Sequence, residues 1–278
     1  MKNILEAGKI LLRGMSQVML QNNIFTGLLF FAGVFYSSWL MGLGAVVGVS
    51  VSTYTAFVLN YSKQDITDGL YGFNGILVGI AVLYFYELTA ITILMIILGS
   101  VLSSIVMNFM HEKKLSHLTF PFVLSTWILI FVMKLVDVVP LKVHETIAAT
   151  SLNLSSSLSM GFGQVMFQAN IITGILFLLG LLVNSRIAAL YAFFGSCVGV
   201  GIGYFFSLPL SFVNAGIFGY NAVLCGIAFN DKKVSAIPYA LIAIVLSIAI
   251  VYGMIKFNIV ALTAPFVFAS WIVLLLKK

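Results

Sequence analysis

The stretch "SQVMLQNNIFTGLLF" at residues 16–30 places a cluster of glutamine and asparagine directly in front of an apolar run. A second stretch, "GQVMFQANIITGILF" at residues 163–177, begins 147 positions later and is identical at ten of its fifteen positions. Self-similarity at a fixed offset is typical of a repeated structural unit. The polar cluster is therefore part of a unit that the chain contains twice.

The composition of the chain is that of an integral membrane protein. Of its 278 residues, 62% are hydrophobic and only 8% are charged, whereas soluble domains carry about 25% charged residues. A transmembrane helix needs about 20 apolar residues to cross about 30 Å of hydrocarbon, so the chain has room for roughly ten spans. The first residues show no small-residue cleavage site, and we expect no removable signal peptide.

The cysteines and the net charge point to no further chemistry. Cys197 and Cys225 lie in apolar segments without CxxC spacing, which favours buried packing over a metal or redox role. The net charge of +6 comes from lysines at the ends of apolar runs, which membrane topology explains without nucleic-acid binding. We therefore expect no cofactor, no metal and no nucleic-acid partner.

The apolar runs divide into two halves with the same order of elements. The first half contains a short helix at 6–20 and spans at 24–40, 41–61, 69–86, 88–110 and 119–137. The second contains a short helix at 155–167 and spans at 170–184, 187–206, 216–230, 234–255 and 260–276. The sequence thus predicts two repeats, residues 1–140 and 141–278, each with five spans and one short helix.

Two further pairs of stretches support this division. "GLYGFNGILVGIA" at 69–81 matches "GIFGYNAVLCGIA" at 216–228 at seven of thirteen positions. "LTFPFVLSTWIL" at 118–129 matches "LTAPFVFASWIV" at 262–273 at seven of twelve positions, with an offset of 144. Because each repeat has an odd number of spans, the second must enter the membrane in the opposite orientation, and the repeats are predicted to be inverted.

The distribution of basic residues agrees with ten spans and with both termini in the cytoplasm, where Lys and Arg collect. The predicted cytoplasmic segments hold eleven of the fourteen: Lys2, Lys9, Arg13, Lys63, Lys113, Lys114, Arg186, Lys232, Lys233, Lys277 and Lys278. The predicted outer segments hold three: Lys134, Lys142 and Lys256.

Inverted repeats place a substrate site near the membrane midplane, on the pseudo-two-fold axis, lined by short or broken helices. Only residues 14–20 of the first short helix are free of charge, which is about 10 Å of helix at 1.5 Å per residue. We expect a re-entrant half-helix here and in the second repeat. Since only thirteen residues separate Thr263 from Lys277, we expect Thr263 and its counterpart Thr119 to lie at depth.

None of the polar residues predicted to lie at depth is ionisable. They are Gln17, Gln21, Asn22, Asn23, Asn74 and Thr119, with counterparts Gln164, Gln168, Asn170, Asn221 and Thr263. Proton-coupled transport requires buried carboxylates or histidines, and sodium coupling requires an anionic or carbonyl cage. This set favours the passive movement of a neutral substrate.

An apolar pair accompanies the polar residues in each repeat. Phe73 and Leu77 are one helical turn apart on one face, and their counterparts are Tyr220 and Leu224. Two such faces opposed across the axis would form a flat slot that fits a planar, uncharged amide. Each "TxPF" segment, at 119–122 and 263–266, contains a proline that donates no backbone hydrogen bond, so we expect free carbonyls before it.

Structural interpretations of the same residues remain open at this point. The asparagines can satisfy loop backbone, Phe and Leu at helical spacing can be core, and Thr before Pro can cap a helix. His111, His117 and His144 flank spans without ligand spacing, which favours loop or interface roles. Recurrence at symmetric positions favours the site interpretation for the Gln17/Gln164 and Thr119/Thr263 pairs.

As a set, "LRGMSQVMLQNN", "GLYGFNGILVG" and the doubled "TxPF" resemble the urea transporter family, the channel-like urea carriers of bacteria and vertebrates. The resemblance covers nearly the whole chain. It implies ten spans, two re-entrant helices, passive and selective urea permeation, and a homotrimer with one pore per protomer. It also implies a place in a bacterial inner membrane.

Matched by motif, the resemblance implies roles for twelve residues. Gln17 and Gln164 would accept urea N–H groups at the two mouths, and Thr119 and Thr263 would line the midpoint. The remaining eight would stand beside the glutamines or form the slot walls: Val18, Val165, Leu20, Phe167, Phe73, Leu77, Tyr220 and Leu224. Leu20 replaces a frequent aromatic and Tyr220 adds a hydroxyl, so the first mouth is expected to bind urea less tightly or to admit slightly larger amides.

The sequence can also be compared with the requirements of other membrane proteins. A channel for short amides, ammonia or water stays open as the alternative. The aquaporin-like architecture needs two Asn-Pro-Ala boxes on six spans and an ammonium channel needs a pore histidine pair, and the sequence has neither. An intramembrane enzyme would need a nucleophile with a base or a buried metal set, which the sequence does not suggest. A membrane scaffold without transport is compatible with the composition.

Overall fold

The structure is a computed structural model that describes residues 2–136, 139–142 and 149–277. Within these residues every regular element is helical, apart from one isolated antiparallel bridge between Tyr86 and Leu141. The predicted all-α class is confirmed. The chain divides into two compact units, Met1–His144 and Glu145–Lys278. That these units are inverted copies of one fold, divided at residues 140 and 141, stays a prediction.

Seven helices are described in the first unit. They are α1 Lys2–Gln17, α2 Ile24–Ser37, α3 Trp39–Val58, α4 Lys63–Thr67, α5 Gly72–Phe85, α6 Ala90–Glu112 and α7 Phe120–Val136. The predicted short helix at 6–20 is wrong at both ends, because α1 begins earlier and is followed by a turn at 18–20. The five-residue α4 was not predicted, since its few residues show no apolar period.

The second unit contains the same number of described α-helices, with two short 3-10 segments. They are α8 Leu154–Gly163, the 3-10 segment Gln164–Met166, α9 Ile171–Asn184, α10 Arg186–Phe205, α11 Leu210–Asn214, α12 Tyr220–Ala228, the 3-10 segment Val234–Ala236, α13 Ile237–Lys256 and α14 Ala264–Leu276. The predicted span 216–230 is too long at both ends. It is preceded by a turn in which Gly216 has a φ of +73°.

Helix lengths differ from those of ten uniform spans. In the described part of the chain, four helices are at least 18 residues long and apolar enough to cross a membrane: α3, α6, α10 and α13. Residues Leu154–Met166 and Ile171–Asn184 meet this standard only as a pair, which is bent by 74° at its break. The apolar helices α2, α5, α7 and α14 have 13 to 17 residues, or about 20–26 Å. The ten spans therefore stay a prediction.

Polar side chains define where corresponding helices begin. The Oδ1 atom of Asn23 accepts from the backbone N of Thr26 at 3.0 Å, and that of Asn170 accepts from Thr173 N at 3.1 Å. Such N-caps satisfy backbone donors that have no partner within the helix. The structural interpretation of Asn23 and Asn170 is therefore confirmed, and the polar cluster sets the first turns of α2 and α9.

Small residues let neighbouring helices approach to backbone distance. A Cβ atom on Gly48 of α3 would collide with the carbonyl oxygen of Gly75 on α5. In the second unit, a Cβ on Gly226 of α12 would collide with the carbonyl oxygen of Tyr191 on α10. Close approach over small residues is the usual way in which membrane helices pack. These close contacts hold α5 against α3 and α12 against α10, and α5 and α12 carry the predicted slot walls.

Left-handed backbone conformations recur at matching positions of the two units. Ten described residues have a positive φ, and they form five pairs at the offsets 147 or 144: Leu20 with Phe167, Asn60 with Ser207, Gly69 with Gly216, Lys114 with Asn258 and Leu118 with Leu262. Non-glycine residues adopt this region infrequently. Five matched pairs indicate that the same local backbone path is built twice.

Candidate functional site

The end of α1 lies against the loop that precedes α5. Gly69 in this loop has a φ of +77°, which favours glycine, and a Cβ atom there would collide with the backbone of Gly14. This approach brings the half-buried Gln17 to Asp68, whose backbone carbonyl accepts a hydrogen bond from Gln17 Nε2 at 3.0 Å. The bond commits Nε2 to the Asp68 carbonyl, which leaves Oε1 as the acceptor end of Gln17.

A left-handed turn follows Gln17. The hydroxyl of Ser16 donates to the carbonyl oxygen of Gln21 at 2.7 Å and closes the turn. Within it Val18 is fully buried, while Leu20 is half-buried with a φ of 58°. A leucine in this region costs about 1–2 kcal/mol. Such a conformation persists only where the surrounding contacts determine it, and it is often found at functional sites.

The predicted wall on α5 is buried. Phe73 is 2% exposed and Leu77 is 0% exposed. Between them, Asn74 Oδ1 accepts a hydrogen bond from the backbone N of Phe122 at 3.1 Å, which ties the start of α7 to α5. Thr119 is buried immediately before α7. The structural interpretation of Asn74 is confirmed, and this bond places Thr119 next to the α5 wall.

The second unit repeats the glutamine and the turn. Gln164 is half-buried at the start of the 3-10 segment, Val165 is buried, and Phe167 ends the segment with a φ of 60°. A Cβ atom on Gly216 would collide with the backbone around Gly161, as at the corresponding glycines of the first unit. The same elements therefore place Gln164 and Gln17 in their respective units.

The wall on α12 is held by a hydroxyl that the first unit lacks. Tyr220 Oη donates to the carbonyl oxygen of Leu262 at 2.6 Å. Asn221 Oδ1 accepts from the backbone N of Phe266 at 3.1 Å and ties α14 to α12. Leu224 and Thr263 are both buried. Because the Tyr220 hydroxyl is bound to backbone, the added polar group predicted from the sequence serves to fix the ring.

The expectation of free carbonyls before the two prolines is wrong for Thr119, Thr263 and Leu262. The carbonyl oxygen of Thr119 accepts from Val123 N, and that of Thr263 accepts from Val267 N, both at 3.1 Å. The carbonyl of Leu262 accepts from Tyr220 as described. The helices α7 and α14 begin one residue after the threonines, so their first turns use these oxygens. Thr263 occupies the N-cap position but makes no capping bond through its side chain.

An acidic side chain that the sequence analysis did not select stands beside Gln17. The carboxylate of Asp68 accepts from Asn22 Nδ2 at 3.0 Å and from Gln64 Nε2 at 2.8 Å. The hydrogen bond from Asn22, followed by that from Gln64, lowers the pKa of the Asp68 carboxyl below its ordinary value. The corresponding position in the second unit is Ala215, so the two glutamines have different electrostatic surroundings.

Comparison with known proteins identifies the family. The family description "Urea transporter" matches residues 9–278. The chain belongs to the urea transporter family. Urea transporter 1 of Ovis aries is 30% identical over 290 residues, which cover 95% of this chain and 76% of the relative. Urea transporter 1 of Rattus norvegicus is 31% identical and that of Mus musculus 32%, each over 239 residues, 79% of this chain and 62% of the relative.

Membership in the urea transporter family confirms the resemblance that the motifs indicated. The protein is accordingly a multi-pass helical membrane protein of a transporter family. In this family member, each unit by itself gathers six of the twelve predicted residues around three elements. The first unit uses the end of α1, α5 and the start of α7, and the second uses the 3-10 segment, α12 and the start of α14. The roles of these residues toward urea stay proposals.

Proposed function

We propose that this protein is a passive channel for urea, formed by a narrow apolar slot whose edges carry hydrogen-bond acceptors. The observation that supports this most directly is the recurrence, in each unit, of a glutamine at a helix end, a buried aromatic–leucine pair and a buried threonine before a proline helix. None of these groups titrates near neutral pH, so the slot offers no group for proton coupling.

The fixed amide of Gln17 supports its role as an acceptor. Urea presents four N–H donors in one plane and a single carbonyl acceptor. Because Gln17 Nε2 is bonded to the Asp68 carbonyl, Oε1 is the end that can accept from an incoming N–H group. The carboxylate of Asp68 already accepts hydrogen bonds from two side-chain amides, those of Asn22 and Gln64. We propose that this mouth gathers hydrogen-bond donors from solution.

The buried walls support selection by shape. Ring faces of Phe73 and Tyr220 would stack on a planar solute, and aromatic faces favour such partners. The backbone contacts of α5 with α3 and of α12 with α10 hold each wall against the neighbouring helix of its own unit. We propose that Phe73 and Leu77 oppose Tyr220 and Leu224 across a pseudo-two-fold axis, with Leu20 and Phe167, next to Val18 and Val165, at the ends of the slot.

Passive flux is the first expected result, because the proposed slot has no titratable group. Urea uptake into proteoliposomes should follow the urea gradient alone and stop at equal concentrations on the two sides. Imposed proton and sodium gradients should leave the final urea level unchanged, with protein-free liposomes as the control. Uphill accumulation driven by either gradient would contradict a passive channel.

We also propose that the two units are inverted copies with both termini in the cytoplasm of a bacterial cell, in the inner membrane. The five pairs of positive-φ residues support duplication, and the eleven-to-three division of basic residues supports the orientation. The family resemblance further supports a homotrimer with one pore in each protomer.

Cysteine labelling should reveal this topology. In a Cys197→Ser/Cys225→Ser background, cysteines at Lys63 and Lys232 should react with an impermeant maleimide only from the cytoplasmic side. A cysteine at Lys256 should react only from outside, and all three lysines are exposed. Labelling of positions 63 and 256 from the same side would refute the proposed number of spans between them.

A further inference from the structure

The two aromatic walls are held in different ways. In the second unit the ring of Tyr220 is anchored by its hydroxyl to the Leu262 carbonyl at 2.6 Å. Phe73, the counterpart of Tyr220, has no hydroxyl. Its ring instead lies against the ring of His117, with centroids 6.5 Å apart and planes tilted by 44°, within the 4.5–7 Å range of aromatic pairs. At the offset of 144, the counterpart of His117 is Ala261.

The sequence differences at these two positions compensate for each other. In the second unit the wall residue Tyr220 carries a hydroxyl and the loop before α14 carries Ala261. In the first unit the wall residue is Phe73, and the loop before α7 supplies the imidazole of His117. The backbone path of the two loops is the same, since Leu118 and Leu262 have φ values of 45° and 47°. The loop before α7 therefore holds the Phe73 ring by a side chain, whereas the loop before α14 holds Tyr220 by a carbonyl.

His117 is connected to the surface through a second histidine. Its Nδ1 atom is buried without a hydrogen-bond partner in the described part of the chain. Its ring centroid lies 6.3 Å from that of His111 on α6. The Nε2 atom of the exposed His111 lies 3.4 Å from the carboxylate of Asp65 on α4. The titratable groups whose charge acts on His117 are His111 and Asp65.

Protonation of His117 is opposed by its surroundings. Burial lowers the pKa of His117 below its ordinary value, the Leu118 backbone acts in the opposite direction, His111 lowers it further and Asp65 raises it. The imidazole therefore gains its proton only at a pH below its ordinary range. A charged imidazole is most stable where water surrounds it, so protonation favours a position of the ring outside the buried contact with Phe73.

We propose that neutral His117 is the positioning residue for the Phe73 wall, and that its protonation releases this wall and widens the slot. The inference rests on the proposed function, because it assigns Phe73 to the urea pathway. It predicts that the width of solutes admitted by the slot depends on pH, and that this dependence comes from the side chain of His117.

The test is the methylurea-to-urea permeability ratio of the full-length protein in proteoliposomes, measured by stopped-flow light scattering with equal pH on both sides. Between pH 7.4 and pH 5 the wild-type ratio should rise about two- to tenfold, the factor that corresponds to the contribution of one aromatic pair. His117→Ala should show the high ratio at both pH values. His117→Phe, which keeps a ring against Phe73 but cannot titrate, should show the low ratio at both.

Two further variants separate the role of His117 from a general effect of acid. His111→Gln removes the neighbouring titrating ring and should keep the pH response, since His111 does not contact Phe73. Phe73→Tyr/His117→Ala rebuilds in the first unit the pair that the second unit uses, and should bring the ratio back toward the low value and make it insensitive to pH. Loss of the response in His111→Gln would assign it to that residue and overturn the proposal.

Failure of the His117 proposal and failure of the proposed urea channel would give different results. A wild-type ratio that does not change with pH, or a response that persists in His117→Phe, would overturn the role of His117 and leave the urea channel intact. Absence of urea flux in the wild-type protein at every pH would overturn the proposed function, and this inference with it. The wild-type and His117→Phe measurements decide the question even if His117→Ala fails to fold.

Discussion

Urea permeation should fall about 5- to 150-fold in Thr119→Val and, separately, in Thr263→Val, since each change removes a hydrogen-bonding hydroxyl worth about 1–3 kcal/mol where no water can replace it. Both threonines are 1% exposed and precede a proline helix. Valine matches threonine in shape, so the walls should keep their positions. The measurement is stopped-flow light scattering of proteoliposomes after a urea step, normalised to the protein inserted.

The first unit offers a matched control for this change. Thr126 on α7 is also 1% exposed, and its hydroxyl is buried without a hydrogen-bond partner in the described structure. Thr126→Val makes the same chemical change seven residues, or about two helical turns, further along the chain and should leave urea flux unchanged. Thr119→Ser and Thr263→Ser, which keep the hydroxyl, should retain most of it. Full flux in both valine variants, with normal folding, would return these threonines to a purely structural role.

Glycerol should pass through Leu77→Ala and Leu224→Ala at least about tenfold faster relative to urea than through the wild-type protein, a change of roughly 1.4 kcal/mol in relative barrier. Wild-type protein should pass urea, pass formamide or methylurea more slowly, and exclude glycerol. Glycerol offers as many hydrogen bonds as urea but is not flat. Each leucine is fully buried, and its truncation leaves space that the surroundings fill only in part.

Any Leu→Ala change in a core lowers the free energy of unfolding by about 2–5 kcal/mol. Two other buried leucines therefore serve as controls that separate widening of the slot from loss of stability. Leu129 on α7 is 9% exposed and Leu181 on α9 is 0% exposed, and neither belongs to the proposed walls. Leu129→Ala and Leu181→Ala should lower the melting temperature comparably while glycerol stays excluded. If the wild-type protein passes glycerol as fast as urea, the flat slot is wrong and a wider, water-filled pore must replace it.

The candidate site was only partly predictable from the sequence. Recurrence of "SQVM" and "GQVM" selected Gln17 and Gln164. The structure places Gln17 at the end of α1 and Gln164 directly after α8, each shortly before a left-handed residue. The turn itself was not predicted, because leucine and phenylalanine are residues that disfavour a positive φ. Only the packing of the surrounding segments imposes that conformation.

Contacts between residues far apart in the sequence, such as those of Asp68 and His117, could not be predicted from sequence patterns. Asp68 lies 51 positions from Gln17 along the chain and meets it because two glycines allow their backbones to touch. His117 lies 44 positions from Phe73, the residue that its ring contacts. No local period or motif records such pairs, since their sequence separation is set by the lengths of the intervening helices. The sequence contains one signal that was not used, the exchange of Phe73 and His117 in the first unit for Tyr220 and Ala261 in the second.

The sequence by itself determined the membrane class, the recurrence of its motifs and the helix starts that carry their own caps, because hydropathy and capping act over a few neighbouring residues. Asn23 and Asn170 each stand directly in front of an apolar run, and this position alone is enough to locate the starts of α2 and α9. The tertiary structure alone decided that Asn74 and Asn221 hold the starts of α7 and α14. It also decided that the carbonyls of Thr119, Thr263 and Leu262 are already bonded. An amide can cap its own helix or a distant one, and the choice depends on which backbone donor the packed helices bring within 3.1 Å.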